Sequence, residues 1–119
     1  MTLITDLKAI IKGDVLDDSA TLDKYSRDAS LFEMRPRVVV MPRDSADVQA
    51  LVRYVAEHKK EDPTLSITAR AAGTCMSGGA INESIIMDTS VYMTGVIEIN
   101  PQEKWARVLP GTYYRDFDT

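Results

Sequence analysis

Apolar residues fall along this chain in two periods, and the switches between them mark its elements. Leu3, Leu7, Ile10 and Ile11 recur at helical spacing, which predicts a short amphipathic helix over Thr5 to Ile11, with Thr5 or Asp6 as N-cap and Gly13 as its stop. The acidic stretch from Asp14 to Asp18 predicts a solvated turn rather than a paired-carboxylate site, because nothing nearby buries it. Leu22 to Phe32 has no sustained period. A new pattern opens at Pro36: Val38 to Met41 is a continuous apolar run closed by Pro42, as expected of a strand buried on both faces.

Next, Ser45 can cap a helix carrying Val48, Leu51, Val52, Val55 and Ala56 at steps of three and four. Lys59 and Lys60 favour its C-terminal end, Asp62-Pro63 breaks it, and His58 falls on its polar side as a surface imidazole. Beyond Pro63, Leu65, Ile67 and Ala69 alternate with Ser66 and Thr68, a second strand that ends at Arg70. Strand, helix and strand within about 35 residues have the length of a crossover unit, whose carboxyl end is where such folds place ligands. Ile85 to Met87 is a third short run closed by Asp88, Thr89 and Ser90. Val96 to Ile99 and Trp105 to Leu109 flank the turn-prone Asn100 to Glu103, a hairpin pattern. Thr112 to Thr119 reads as barely two helical turns, with Thr112 as cap. The fold class is α/β (α+β): a small sheet with a βαβ crossover and a helical N-terminal arm.

Composition adds exclusions. The 119 residues suit one small domain, 45% apolar and 27% charged, and the net charge of −4 disfavours nucleic acid or an anionic membrane as main partner. No run reaches the ~18 apolar residues of a membrane span and the N-terminus lacks a signal pattern, so a cytoplasmic location is expected. The single cysteine excludes an internal disulfide and a cysteine-built metal site.

The candidate chemistry lies between the second and third strands. Arg70, Ala71, Ala72, Gly73, Thr74, Cys75, Met76, Ser77, Gly78, Gly79 and Ala80 form a loop dense in glycine and hydroxyl residues. Gly73, Gly78 and Gly79 can take backbone angles closed to other residues, so that successive amides turn toward one anion. Gly73 and Gly78 have the spacing of a nucleoside-triphosphate loop, but Gly79 and Ala80 stand where Lys and Ser or Thr are required. The dinucleotide fingerprint is also absent. Any phosphate in this loop is held by main-chain amides, each worth roughly 1.5 to 3 kcal/mol toward a charged acceptor.

This run resembles the pyrophosphate loop, Arg-Gly-Gly-Gly-Thr-x-x-Ser-Gly-Gly, of FAD-linked oxidases of the vanillyl-alcohol oxidase and p-cresol methylhydroxylase type. The D-lactate dehydrogenases and the flavin subunit of glycolate oxidase are the most similar groups within it. Supporting runs are Tyr25 to Ser30, Pro36 to Arg43, Ile85 to Ser90 and Val108 to Thr112. Ala71 and Ala72 depart from the glycines usual there. The resemblance implies the first subdomain of a PCMH-type FAD-binding domain, with residues 1–34 a helical N-terminal arm and residues 35–119 the N-terminal half of that domain, truncated. Tyr25 and Phe32 are then expected to pack over the flavin domain, and Pro110 and Gly111 to contact the flavin. Some relatives tether FAD through a histidine near this loop. Thr74 stands there and cannot form that bond, so FAD is expected to be non-covalent and Cys75 to be a small packing residue.

By the same resemblance, the parent protein oxidises a 2-hydroxy acid such as D-lactate or glycolate by hydride transfer to the flavin. No residue of the chain is a convincing catalytic base or a metal ligand, so the chain alone is expected to be inactive, with FAD and the missing C-terminal part of the parent as partners. Arg70 can pair with phosphate or salt-bridge a carboxylate such as Asp88. The alternative reading is a non-catalytic nucleotide-binding or self-associating module, a possible homo-oligomer.

Overall fold

In the computed structural model, which describes residues 3–114, helix α1 (Leu3–Ile10), strand β1 (Asp14–Leu16) and helix α2 (Ser19–Lys24) precede strand β2 (Val38–Met41). Helix α3 (Ser45–His58) then leads to β3 (Ile67–Arg70), β4 (Ile85–Asp88), β5 (Val96–Asn100) and β6 (Trp105–Val108). The main sheet has the order β1-β2-β4-β3. Its β4 is parallel to both β2 and β3, pairing Ile85 with Val38 on one side and with Ile67 on the other. The crossover through α3 therefore spans two strand positions, and β4 fills the gap. Alternation splits the side chains between two layers. Val38, Val40, Ile85 and Met87 meet Leu7, Ile11 and Leu51 under α1 and α3, while Val39 and Ile86 meet Tyr25 on the other face.

Several local expectations are corrected. The stretch at Asp14 is strand β1, antiparallel to β2, because Val15 pairs with Val40 and enters the core. Helix α1 starts before Thr5 and Asp6, which lie within it; Asp6 accepts a hydrogen bond from Tyr54 Oη at 2.8 Å. Helix α2 lies where no period was visible and owes its start to Asp18, whose carboxylate accepts from Thr21 N at 3.0 Å. The cap of α3 is Asp44 rather than Ser45. On α3, Val52 is 53% exposed, and Tyr54 takes its place among the residues packed on the core. His58 is half-buried rather than free in solvent: its ring stacks on Tyr54 with centroids 4.0 Å apart, and Nδ1 lies 2.8 Å from Tyr54 O.

One buried carboxylate ties this framework together. Asp47 in the first turn of α3 accepts from Lys12 N at 2.8 Å, Gly13 N at 2.9 Å and Arg43 N at 2.9 Å. It thereby joins the end of α1, the entry to β1 and the exit of β2. The hairpin β5-β6 forms as expected but is a separate two-stranded sheet, antiparallel, with Asn100 opposite Trp105. The chain after Tyr114, including Phe117 of the expected terminal helix, lies outside the described residues. Thr112 itself closes the hairpin base: its hydroxyl accepts from Gly95 N at 2.8 Å and donates to Gly95 O at 3.1 Å.

Candidate cofactor-binding site

Strand β3 delivers the glycine loop at the carboxyl edge of the parallel strands, where ladder bonding ends. Thr89 N donates to Arg70 O at 3.0 Å, and past that point the chain leaves the sheet. Gly73 (φ 73°) and Gly78 (φ 84°) adopt left-handed backbone as expected, whereas Gly79 does not. Gly79 is instead confined by Cys75, whose Sγ a side chain there would crowd.

The loop has two parts. Among the described residues, the amides of Ala71, Ala72, Gly73 and Thr74 donate to no protein acceptor. In the second part three amides are engaged: Ser77 N and Gly79 N donate to Cys75 Sγ at 3.5 and 3.2 Å, and Ala80 N donates to Asp28 Oδ2 at 3.3 Å, while those of Cys75, Met76 and Gly78 donate to no protein acceptor among the described residues. Sulfur is a weak acceptor, so Cys75 shapes the turn as a packing residue at little cost. Met76 is 81% exposed, and Thr74 and Ser77 are also exposed.

Beneath the loop, Arg70 is bonded to main chain rather than to a carboxylate. Its Nη1 donates to Arg27 O at 3.1 Å and Ala80 O at 3.3 Å, and its guanidinium carbon stands 5.1 Å from the centre of the Tyr25 ring. Asp88, aligned with Arg70 across the ladder, is taken by other donors: the Tyr25 hydroxyl, Ser90 N at 2.8 Å and Ser90 Oγ at 2.6 Å. The Arg70–Asp88 salt bridge, one of the two alternatives for Arg70, is therefore absent among the described residues. Burial, then the Asp88 hydrogen bond, push the Tyr25 phenol well above its usual pKa, so it stays a donor at neutral pH. Tyr25→Phe removes that donor while leaving both Ser90 bonds; unfolding in urea should show a loss of about 1 to 2 kcal/mol, and unchanged stability would count against the bond.

A cavity of about 630 Å³ opens beside the loop, lined by Arg70, Ala71 and Pro110 together with Met87, Val48 and Met93. The predicted residues Ala72 to Gly79 are not part of its wall. Gly111 is set back from it, so close to Thr89 O that a Cβ there would collide with the main chain. It is glycine for packing, whatever else it touches. Phe32 is 60% exposed and lies against Gly78, whereas Tyr25 is 5% exposed and belongs to the core. Sequence reasoning missed Asp28, although it lies within the run Tyr25 to Ser30. No group of three or more metal-ligating side chains occurs among the described residues, nor is any helix long and apolar enough to cross a membrane.

Open main-chain amides around a left-handed glycine, at the carboxyl edge of parallel strands, define a domain of the nucleotide-cofactor class. A family profile described as FAD binding domain matches residues 36–119; the chain belongs to that family, and its cofactor is FAD. Its relatives narrow the picture. It is 39% identical over 99 residues to D-2-hydroxyglutarate dehydrogenase of Escherichia coli (strain K12), covering 83% of this chain and 10% of that protein. Identity to D-2-hydroxyglutarate dehydrogenase of Pantoea ananatis (strain AJ13355) is 34% over 112 residues, covering 93% of this chain and 11% of that protein. The chain thus spans about a tenth of the length of these curated relatives. Among solved structures, 6-hydroxy-D-nicotine oxidase from Arthrobacter nicotinovorans superposes with a TM-score of 0.74 at 27% identity, over 97% of this chain and 24% of that one. p-Cresol methylhydroxylase with substrate bound gives 0.72 at 21% identity, over 97% and 23%, a likeness of fold.

The residues present fit part of an FAD molecule. A pyrophosphate needs several donors and no acceptors, and Ala71 to Thr74 offer amides without acceptors in the fold. Their neighbours Ser77, Gly79 and Ala80 are committed elsewhere. Ala71 and Ala72 stand where the resemblance expects glycine, and neither has the positive φ that would require one.

Proposed function

We propose that this chain is the pyrophosphate-holding part of the FAD site of a 2-hydroxy-acid dehydrogenase. The observation that carries the reading is the run of open amides from Ala71 to Thr74 around Gly73. For the substrate of the whole protein, the names of its bacterial relatives favour D-2-hydroxyglutarate over D-lactate or glycolate. FAD, when bound, supplies the hydride-accepting chemistry. The amides of Ala71 to Thr74 hold its diphosphate, Pro110 borders the adjoining cavity, and Gly111 sets the course of the chain behind it. Thr74 offers no covalent attachment, and non-covalent FAD is part of the reading.

Turnover needs a base and a clamp for the substrate carboxylate, and the described residues offer neither. His58 is the only histidine, it is stacked on Tyr54, and it belongs to the far end of α3 from the loop. In this reading residues 1–34 are an N-terminal segment whose α1 and β1 join the core, and residues 35–119 are part of the FAD domain. A cytoplasmic location remains part of the reading.

The second reading, a self-associating module, is favoured by the hairpin, where Ile97 is 58% and Ile99 64% exposed. Flavin fluorescence titration of the purified chain separates the two, with ADP and AMP as competitors. Displacement of FAD by ADP at least tenfold better than by AMP is expected, since only ADP carries the diphosphate. No FAD binding together with a concentration-dependent dimer would favour the second reading.

A further inference from the structure

We propose that Arg70 is a positioning residue, the strut that holds the cofactor loop open, and not a ligand of the phosphate. This rests on the FAD reading for its functional consequence, and on geometry for its structural one. Four observations converge. The guanidinium spends Nη1 on two carbonyls from opposite ends of the site, Arg27 O in the N-terminal segment and Ala80 O where the loop closes. Its Cζ stands over the Tyr25 ring, 5.1 Å from the centroid, and that ring is fixed in turn by the hydroxyl's bond to Asp88. Its edge fills the space under Gly73, where a Cβ would overlap Nη2. Its Nε is buried without a hydrogen-bond partner, so that edge of the guanidinium faces protein rather than the cavity that the residue also lines.

A planar cation with a forked set of donors suits this task better than an ammonium can. It bridges two carbonyls while standing over a ring, and it needs no carboxylate. Asp28 completes the closure from the same N-terminal segment by accepting from Ala80 N. The strut therefore ties residues 25–28 to both ends of the loop and underlies Gly73 while leaving the amides from Ala71 to Thr74 without a protein acceptor. Arg70 acts on FAD through the shape of the loop, and the segment before Pro36 becomes part of the site although the family match starts after it.

The test compares Arg70→Ala and Arg70→Lys with the parent chain in two measurements. The first, backbone 15N relaxation of residues 71–80 without ligand, does not depend on FAD. Order parameters near 0.85 are expected in the parent chain, with a fall below about 0.6 in both variants. The second is FAD affinity, expected to weaken about tenfold or more in both, with Lys giving no rescue. A phosphate ligand would behave otherwise: the ligand-free loop would stay rigid in Arg70→Ala, and Lys, a competent point charge for phosphate, would restore binding. Either result overturns the proposal. Gly73→Ala made in the parent and in the Arg70→Ala background gives a further check, since removing the guanidinium removes the overlap. Its effect on affinity should shrink at least threefold in the second background, and equal effects would contradict the contact. Should Arg70→Ala fail to fold, Arg70→Gln, which keeps a single neutral NH2 group in place of the guanidinium, carries the same comparison. If the parent chain binds no FAD the functional reading fails, while the relaxation data still decide the role of Arg70.

Discussion

Asp47→Ala is expected to lower the stability of this chain by about 4 kcal/mol, a loss at the upper end of what one substitution causes. The carboxylate is 1% exposed and accepts from Lys12 N, Gly13 N and Arg43 N. Alanine would leave three part-buried amides without their acceptor. Each charge-assisted bond contributes roughly 1.5 to 3 kcal/mol, and the three are not additive because they share one group. Against a typical total of about 5 to 15 kcal/mol, such a loss leaves a chain of this size barely folded. Asp47→Asn should fall between, because the amide keeps one accepting oxygen. Urea unfolding measures both, and a loss under about 1 kcal/mol for Asp47→Ala would show that the three amides find other acceptors.

Gly73→Ala is expected to weaken FAD binding by about 10- to 100-fold while moving the unfolding midpoint little. A left-handed conformation costs a non-glycine residue about 1 to 3 kcal/mol, and Gly73 has φ 73°. That strain adds to an overlap with the Arg70 guanidinium. The loop can relax at small cost to the core, since the amides from Ala71 to Thr74 make no bonds that hold the sheet. What relaxes is the backbone path through Gly73, and affinity is where the change appears. Isothermal titration with FAD and a thermal melt on the same sample read both effects. Unchanged affinity would mean that Gly73 is merely permissive.

Where local chemistry decides the structure, the sequence was readable. Strand β2 is framed by Pro36 and Pro42, and its burial on both faces follows from an uninterrupted apolar run. Of the three loop glycines expected to use angles closed to other residues, Gly73 and Gly78 do and Gly79 does not. Strand β1 was hidden because three residues with acids on either side of Val15 and Leu16 give no alternation to detect. The cap of α3 was off by one because Asp44 and Ser45 are both good cappers and only three-dimensional geometry selects between them. Tyr54 escaped notice on the packed face because its hydroxyl, bonded to Asp6 across 48 positions, makes a polar residue acceptable there. Strand order was the hardest feature, since β4 enters between β2 and β3 through long-range pairing that no local pattern encodes. In the site, the same limit hid Asp28, 52 residues from the amide it accepts. It also left two options for Arg70, phosphate or a carboxylate, and did not show the main-chain carbonyls of Arg27 and Ala80 that its Nη1 meets.

The central claim is that the open amides of the loop's first part receive a diphosphate. Amide 1H–15N shifts of the chain, followed during titration with ADP, AMP, adenosine and FAD, test it most directly. The account predicts saturable shifts at Ala71, Ala72, Gly73 and Thr74 with ADP and with FAD, weaker ones with AMP and none with adenosine. FAD binding that leaves those four amides unmoved, while shifts cluster elsewhere, would contradict it.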